Sequence, residues 1–240
     1  MNRRETVLRE LGYVLHQRPY RNTSQLLECY TLNYGRVGLV ANGSRRPPRG
    51  GRALLQPFVP LEISWLRRGE LGRVTAVESL AKGMDLFGTS LLAGFYINEL
   101  LLRLTARDDA NDAAFSCYQE CLQGLQDPQS VARSLRVFEF GLLQALGYGL
   151  DLTHDVADQS PLAPDKRYVI DLEIGPRATL GEEGYSGRDL ISLRERELHD
   201  EGSLNTARQL LTRALQAHLG GRELRSRAVL KDIVERGLSF

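Results

Sequence analysis

The feature that most constrains this 240-residue chain is a change of hydrophobic period near Leu80. Before it, apolar residues alternate: Leu61, Ile63 and Trp65 share one face with Glu62 and Ser64 on the other, and Val37, Leu39 and Ala41 repeat the pattern. A period of two marks half-buried strands. The reading places strands over 13–16, 25–32, 36–41, 54–66 and 71–79, with a turn at Asn33-Tyr34-Gly35 and a longer one over 42–52, where Pro47, Pro48 and glycines preclude a regular element. Roughly five strands in about 70 residues fit a small OB-type β-barrel, whose closure removes edge strands.

Beyond Leu80 the period becomes helical. Residues 88–104 carry Leu91, Leu92, Phe95, Tyr96 and Leu102 with little polar face, which predicts a central, buried helix. Val131, Leu135, Phe138, Leu142 and Leu146 form one amphipathic stripe ending near Gly147. Leu204, Ala207, Leu210, Leu211, Ala214, Leu215, His218 and Leu219 form another before Gly220-Gly221. Residues 151–187, with Pro161, Pro164 and Pro176 around a strand-like Tyr168-Val169-Ile170-Asp171-Leu172, read as an irregular insertion. The expected class is α+β: an N-terminal OB-fold over 1–80, then a mainly α-helical C-terminal domain over 81–240. No internal repeat suggests a solenoid.

Composition narrows the function. The overall charge of +1 hides an asymmetry, because residues 1–80 hold 13 Arg and 6 Glu with neither Lys nor Asp. A basic front on an acidic back points to an anionic partner, nucleic acid foremost, with a plain arginine-rich surface as the alternative. No apolar run has the length of a signal peptide or a membrane helix, so the expected location is cytoplasmic, without a membrane partner. Three cysteines make a disulfide framework or a zinc site unexpected, and Cys117 and Cys121 read as apolar thiols on one helical face.

No motif asks for catalysis. Gly83 to Ser90 has the glycine spacing of a phosphate-binding loop, but Thr89 stands where lysine is needed, leaving a turn and helix start capped by Thr89 or Ser90. His154, Asp155 and Asp158 read as a solvated loop, not a metal site. The basic loop says more. Arg45, Arg46, Arg49 and Arg52 follow Arg36 closely, and such guanidinium groups can neutralise several phosphates. Tyr20 and Tyr34, beside turns, are expected to be exposed for stacking on bases, with Phe58 and Trp65 in the barrel core. Arg222, Arg225 and Arg227 after Gly220-Gly221, and Arg133 with Arg136 on one helix edge, suit an acidic peptide or, equally, intrahelical partners such as Glu139.

Several runs together resemble the RecO family: Gly12-Tyr13-Val14-Leu15-His16 with Arg18-Pro19-Tyr20; Gly35 to Ala41; Leu55 to Leu61; Phe95 to Leu101; Phe138 to Leu143 leading to Gly147-Tyr148-Gly149; and Leu219-Gly220-Gly221 with Ser226-Arg227. The resemblance spans nearly the whole chain. It implies a non-enzymatic recombination mediator that binds single- and double-stranded DNA, anneals strands, associates with RecR, and helps RecA replace single-stranded DNA-binding protein, some relatives docking that protein's acidic tail. It makes Arg36, Arg45, Arg46, Arg49 and Arg52 expected DNA contacts, and Arg18, Tyr20 and Tyr34 are counted with them as candidates in the same domain. Arg133, Arg136, Phe140, Arg222, Arg225 and Arg227 become expected peptide contacts, Arg136 receiving the tail's carboxylates beside Val137 and Phe140. A nucleoid-associated location follows. Many relatives carry a four-cysteine zinc site after Gly-Tyr-Gly; here 154–205 contains no cysteine, matching the zinc-free branch, so neither metal nor cofactor is expected. Relatives also often have lysine at Asn42 and a longer basic turn, which here contains Pro47-Pro48. The competing expectation is a general OB-fold RNA- or DNA-binding protein without mediator activity.

Overall fold

The alternating segments pair into a barrel because each has an apolar face that only closure can bury on all sides. A computed structural model describes residues 5–44, 54–221 and 224–226. Strands β1 (Glu5–Tyr20), β2 (Ser24–Thr31), β3 (Gly35–Ala41), β4 (Leu61–Arg67) and β5 (Leu71–Ser79) close in the order β1-β2-β3-β5-β4. All neighbours are antiparallel except β3 and β5, which run parallel with Leu39 opposite Gly72. This closed meander with a parallel β3–β5 seam is the OB arrangement. Val14, Leu27, Cys29, Val37, Leu39, Leu61, Ile63 and Trp65 fill the interior. Gly72 is glycine for room: a Cβ there would stand 2.7 Å from a Leu39 methyl and 2.8 Å from the Trp65 ring.

Two strand boundaries differ from expectation. β1 runs far longer than 13–16, bent by irregularities between Val7 and Glu10 and between Val14 and His16 that let one strand serve two neighbours. β4 begins at Leu61 rather than 54, since Pro57 and Pro60 lack the N–H a ladder needs.

Helix α1 (Gly88–Leu104) has the expected bounds but a different buried face. Ala93, Gly94, Tyr96, Ile97, Leu100 and Leu101 are buried, whereas Leu91 and Leu92 are half-buried and Phe95 exposed. Its N-cap is Phe87, without a side-chain cap, so neither Thr89 nor Ser90 takes that role. Helix α2 (Asp112–Gly124), which the period analysis did not assign, begins where Asn111 accepts a hydrogen bond from Ala114 N.

Both helices pack on the barrel. The Asn98 amide donates to Leu15 O (3.0 Å) and its oxygen accepts from the Tyr118 hydroxyl (2.8 Å), while Tyr13 and Tyr30 meet Phe115 and Tyr118 in tilted and edge-on ring pairs. Chain contacts accordingly divide after Gln126, and Leu224, Arg225 and Ser226 return to the barrel unit. That return is held by Glu99, whose carboxylate accepts from the backbone N–H of Arg225 (3.1 Å) and of Ser226 (2.9 Å) and from the Ser226 hydroxyl (2.8 Å).

The other unit, Asp127–Glu223, contains α3 (Val131–Ala145), α4 (Gly187–Arg194) and α5 (Glu201–His218). Phe138, Phe140, Leu142, Leu143, Leu190, Leu193, Leu210, Leu211 and Leu215 are buried there. Gly147, at φ 79°, ends α3 with Tyr148 N donating to Leu143 O, the left-handed glycine stop expected from sequence. The insertion is more regular than expected: β6 (Arg167–Asp171), β7 (Gly175–Thr179) and β8 (Tyr185–Ser186) form a sheet in the order β7-β6-β8. No helix among the described residues is long and apolar enough to cross a membrane.

Candidate functional site

At the barrel, strand register sorts the expected DNA contacts to two ends. Tyr20 faces Ser24 across the β1–β2 turn, and Gln25 faces Ala41, so Arg18, Tyr20 and the 42–44 turn share one end. The Ser24 hydroxyl and the Asn42 side-chain oxygen, 3.2 Å apart, join the two turns. Arg18 is exposed and Tyr20 half-buried, with the Arg21 guanidinium 5.3 Å from the Tyr20 ring centre. Arg21, which sequence reasoning passed over, thus joins this end. Its signal was adjacency to Tyr20 in the turn. Arg45, Arg46, Arg49 and Arg52 lie outside the described residues, in the segment that leaves the 42–44 turn.

Tyr34 and Arg36 stand at the opposite end, where Thr31 pairs with Gly35, about 23 Å along β2 at strand rise. Tyr34 is not an exposed stacking ring. It packs edge-on against Trp65 with ring centres 5.3 Å apart and belongs to the rim of the barrel core. Of the two rings expected in the barrel core, Trp65 is there, whereas Phe58 is buried outside it, edge-on to Phe95 of α1. Arg36, 17% exposed at its side chain, pairs with Glu28 (3.3 Å) and donates to Thr105 O (2.9 Å). Arg107 also pairs with Glu28, and Arg67 joins Glu5 to Asp108. These arginines fasten the 105–109 loop to the barrel. Gly35, at φ 62°, admits this loop: a Cβ there would lie 2.0 Å from Asp109 O.

The helical unit holds a groove of about 880 Å³ between the start of α3 and the start of α5. Val131, Ala132, Leu135 and Arg136, with Pro128 and Gln129 before them, line one side; Glu201, Gly202, Leu204, Asn205 and Arg208 line the other. Arg136 is nearly buried, and its guanidinium is held 3.0 Å from the Glu139 carboxylate, itself in the core. A guanidinium has more donors than one carboxylate oxygen consumes, so the anchored group can also serve a ligand. The groove therefore combines apolar walls with the cations Arg136 and Arg208, against the single carboxylate of Glu201. Arg208 was missed because it sits alone on its helix face. It meets Arg136 only in three dimensions.

Other expected peptide contacts fall elsewhere. Phe140 is a core residue at 2% exposure and does not line the groove. Arg133 is absent from the lining and donates to the carbonyls of Glu197 (2.8 Å) and Arg196 (2.6 Å). Arg225 is exposed on the barrel unit, with its backbone bound to Glu99; Arg222 and Arg227 lie outside the described residues.

The polar cluster in the insertion serves the backbone. Asp155 is buried and accepts from Ala157 N (2.9 Å) and Ala178 N (3.1 Å), which corrects the expectation of a solvated loop at that residue. Hydrogen bonds from Ser160 hold the Asp158 carboxyl below its ordinary range. No group of three or more His, Cys, Asp or Glu residues among the described ones is arranged to hold a metal ion. Cys29 and Cys121 are buried, and desolvation pushes the Cys29 thiol up, away from reactive thiolate.

Comparison with known proteins accounts for both units. Residues 5–82 match the family model "Recombination protein O N terminal", and residues 88–228 match "Recombination protein O C terminal". A "DNA repair protein RecO" of Nitrosococcus oceani is 43% identical over 235 residues, 96% of each chain. One of Methylococcus capsulatus is 39% identical over 94% of each chain, and one of Serratia proteamaculans 37% identical over 95% of each. With both models matched in order and relatives this similar along nearly their whole length, the chain belongs to the RecO family of DNA repair proteins.

Proposed function

We propose that this protein is a recombination mediator that acts without catalysis. It binds single- and double-stranded DNA at the barrel and anneals complementary strands. With RecR it helps load RecA onto DNA coated by single-stranded DNA-binding protein, at the nucleoid. The observation that carries this reading is the pairing, in one chain, of a closed OB barrel bearing arginines at one end with a groove in which Arg136 and Arg208 face apolar walls. Arg18, Tyr20 and Arg21, with Arg45, Arg46, Arg49 and Arg52 in the neighbouring segment, form the DNA surface. Two strands on one basic surface repel each other less and meet at higher effective concentration, so annealing needs no covalent step. The groove takes the acidic, apolar tail of the single-stranded DNA-binding protein: its carboxylates meet the guanidinium groups while its apolar residues cover Val131, Leu135 and Leu204.

Annealing of labelled complementary oligonucleotides, bare and coated with binding protein that retains or lacks its tail, tests the reading over a salt series. Acceleration of coated strands only when the tail is present supports it. Binding without acceleration under any condition leaves a general OB-fold nucleic-acid-binding protein.

A further inference from the structure

The fate of Arg133 points to a role that charge alone does not explain. The groove has two walls on separate helices, so its shape depends on how the start of α5 is fixed against α3. The connecting segment is unusual. Arg196 (φ 59°) and Leu198 (φ 42°) both adopt left-handed backbone, which non-glycine residues keep only where their surroundings impose it. Within the α4 side, the Ser192 hydroxyl accepts from Leu198 N (3.0 Å), Ser192 O accepts from Glu197 N (3.0 Å), and the Leu198 side chain is buried. Asp200 then caps α5 by accepting from Ser203 N (2.9 Å). From the opposite wall Arg133 reaches this segment with two hydrogen bonds: its Nε and Nη2 grip the successive carbonyls of Glu197 and Arg196. A planar guanidinium suits such a two-point grip, whereas an ammonium donates from a single point.

We infer that Arg133 is a strut that sets the spacing of the groove walls, a positioning residue that prepares the docking site without touching the peptide. This rests on the docking reading above.

The test uses the full-length protein and a fluorescein-labelled peptide ending Asp-Asp-Leu-Phe with a free carboxylate, beside its Asn-Asn analogue, in anisotropy titrations. Arg133→Ala weakens both peptides by the same factor, about fivefold to tenfold through lost preorganisation, and Arg133→Lys recovers part of it. Amide exchange over 196–202 rises in Arg133→Ala while affinity for bare DNA stays unchanged. Arg136→Ala, by contrast, weakens the acidic peptide more than the analogue. A loss in Arg133→Ala confined to the acidic peptide makes Arg133 an ion-pair partner and overturns the strut. So does unchanged affinity in Arg133→Ala when Leu135→Asp abolishes binding. If Leu135→Asp and Arg136→Ala both bind like the unaltered protein, the docking reading falls and this inference falls with it.

Discussion

Arg36 and Arg18 carry the same charge on the same barrel, yet their surroundings assign them different work. Arg36 is committed to Glu28 and the Thr105 carbonyl, while Arg18 is exposed beside the 42–44 turn. Arg36→Gln is expected to lower the unfolding midpoint, about 1–2 kcal/mol for a half-buried charged hydrogen bond, and to leave the salt dependence of DNA binding unchanged. Arg18→Ala should do the reverse, reducing the slope of log affinity against log salt by about one. Asn98 is a second residue whose role is set by burial. Asn98→Leu would orphan both Leu15 O and the Tyr118 hydroxyl, a cost of about 3 kcal/mol in chemical denaturation at the barrel's own helix interface. Sequence alone did not separate Arg36 from Arg18, because an arginine's partner is decided by which loop folds over it. The partners of Arg36 lie 8 residues upstream and 69 downstream.

At the scale of elements, what the sequence made legible was whatever repeats locally. The periods of β3, β4, α3 and α5 appear in the chain as spacings, and their cores follow; α1 was legible as a helix but not in its buried face. Helix α2 was legible in the same way, since its buried residues Ala114, Phe115, Tyr118, Cys121 and Leu122 recur at helical spacing, but its stripe was passed over between the two longer ones. The groove escaped more completely, since its two walls start 70 residues apart at Val131 and Glu201. The Glu99 clasp on Arg225 and Ser226 is likewise a long-range fact. Burial opposes the Glu99 charge, but the hydrogen bonds from Ser226 and Arg225 and the charge of Arg103 outweigh it and hold the carboxyl below its usual 4.5. A depressed acid stabilises the fold where it is ionised and loses that contribution on protonation. The clasp is therefore complete at neutral pH and is lost as pH falls below 4.5 through the lower folded value. The amide resonances of Arg225 and Ser226 should titrate together with a midpoint under 4.5, and Glu99→Gln should abolish that titration.

Over the whole molecule, the proposed function puts two kinds of partner on two units of one chain, the polyanion on the barrel unit and the anionic peptide on Asp127–Glu223. The two proposed surfaces are distinct, which annealing rates on bare and on protein-coated strands test for two variants: Arg45→Glu/Arg46→Glu/Arg49→Glu as the barrel variant, and Leu135→Asp/Arg136→Glu in the groove. The barrel variant is predicted to lose annealing on both substrates, and the groove variant to anneal bare strands normally while losing the coated ones. A groove variant that loses both equally, or keeps both, would contradict it.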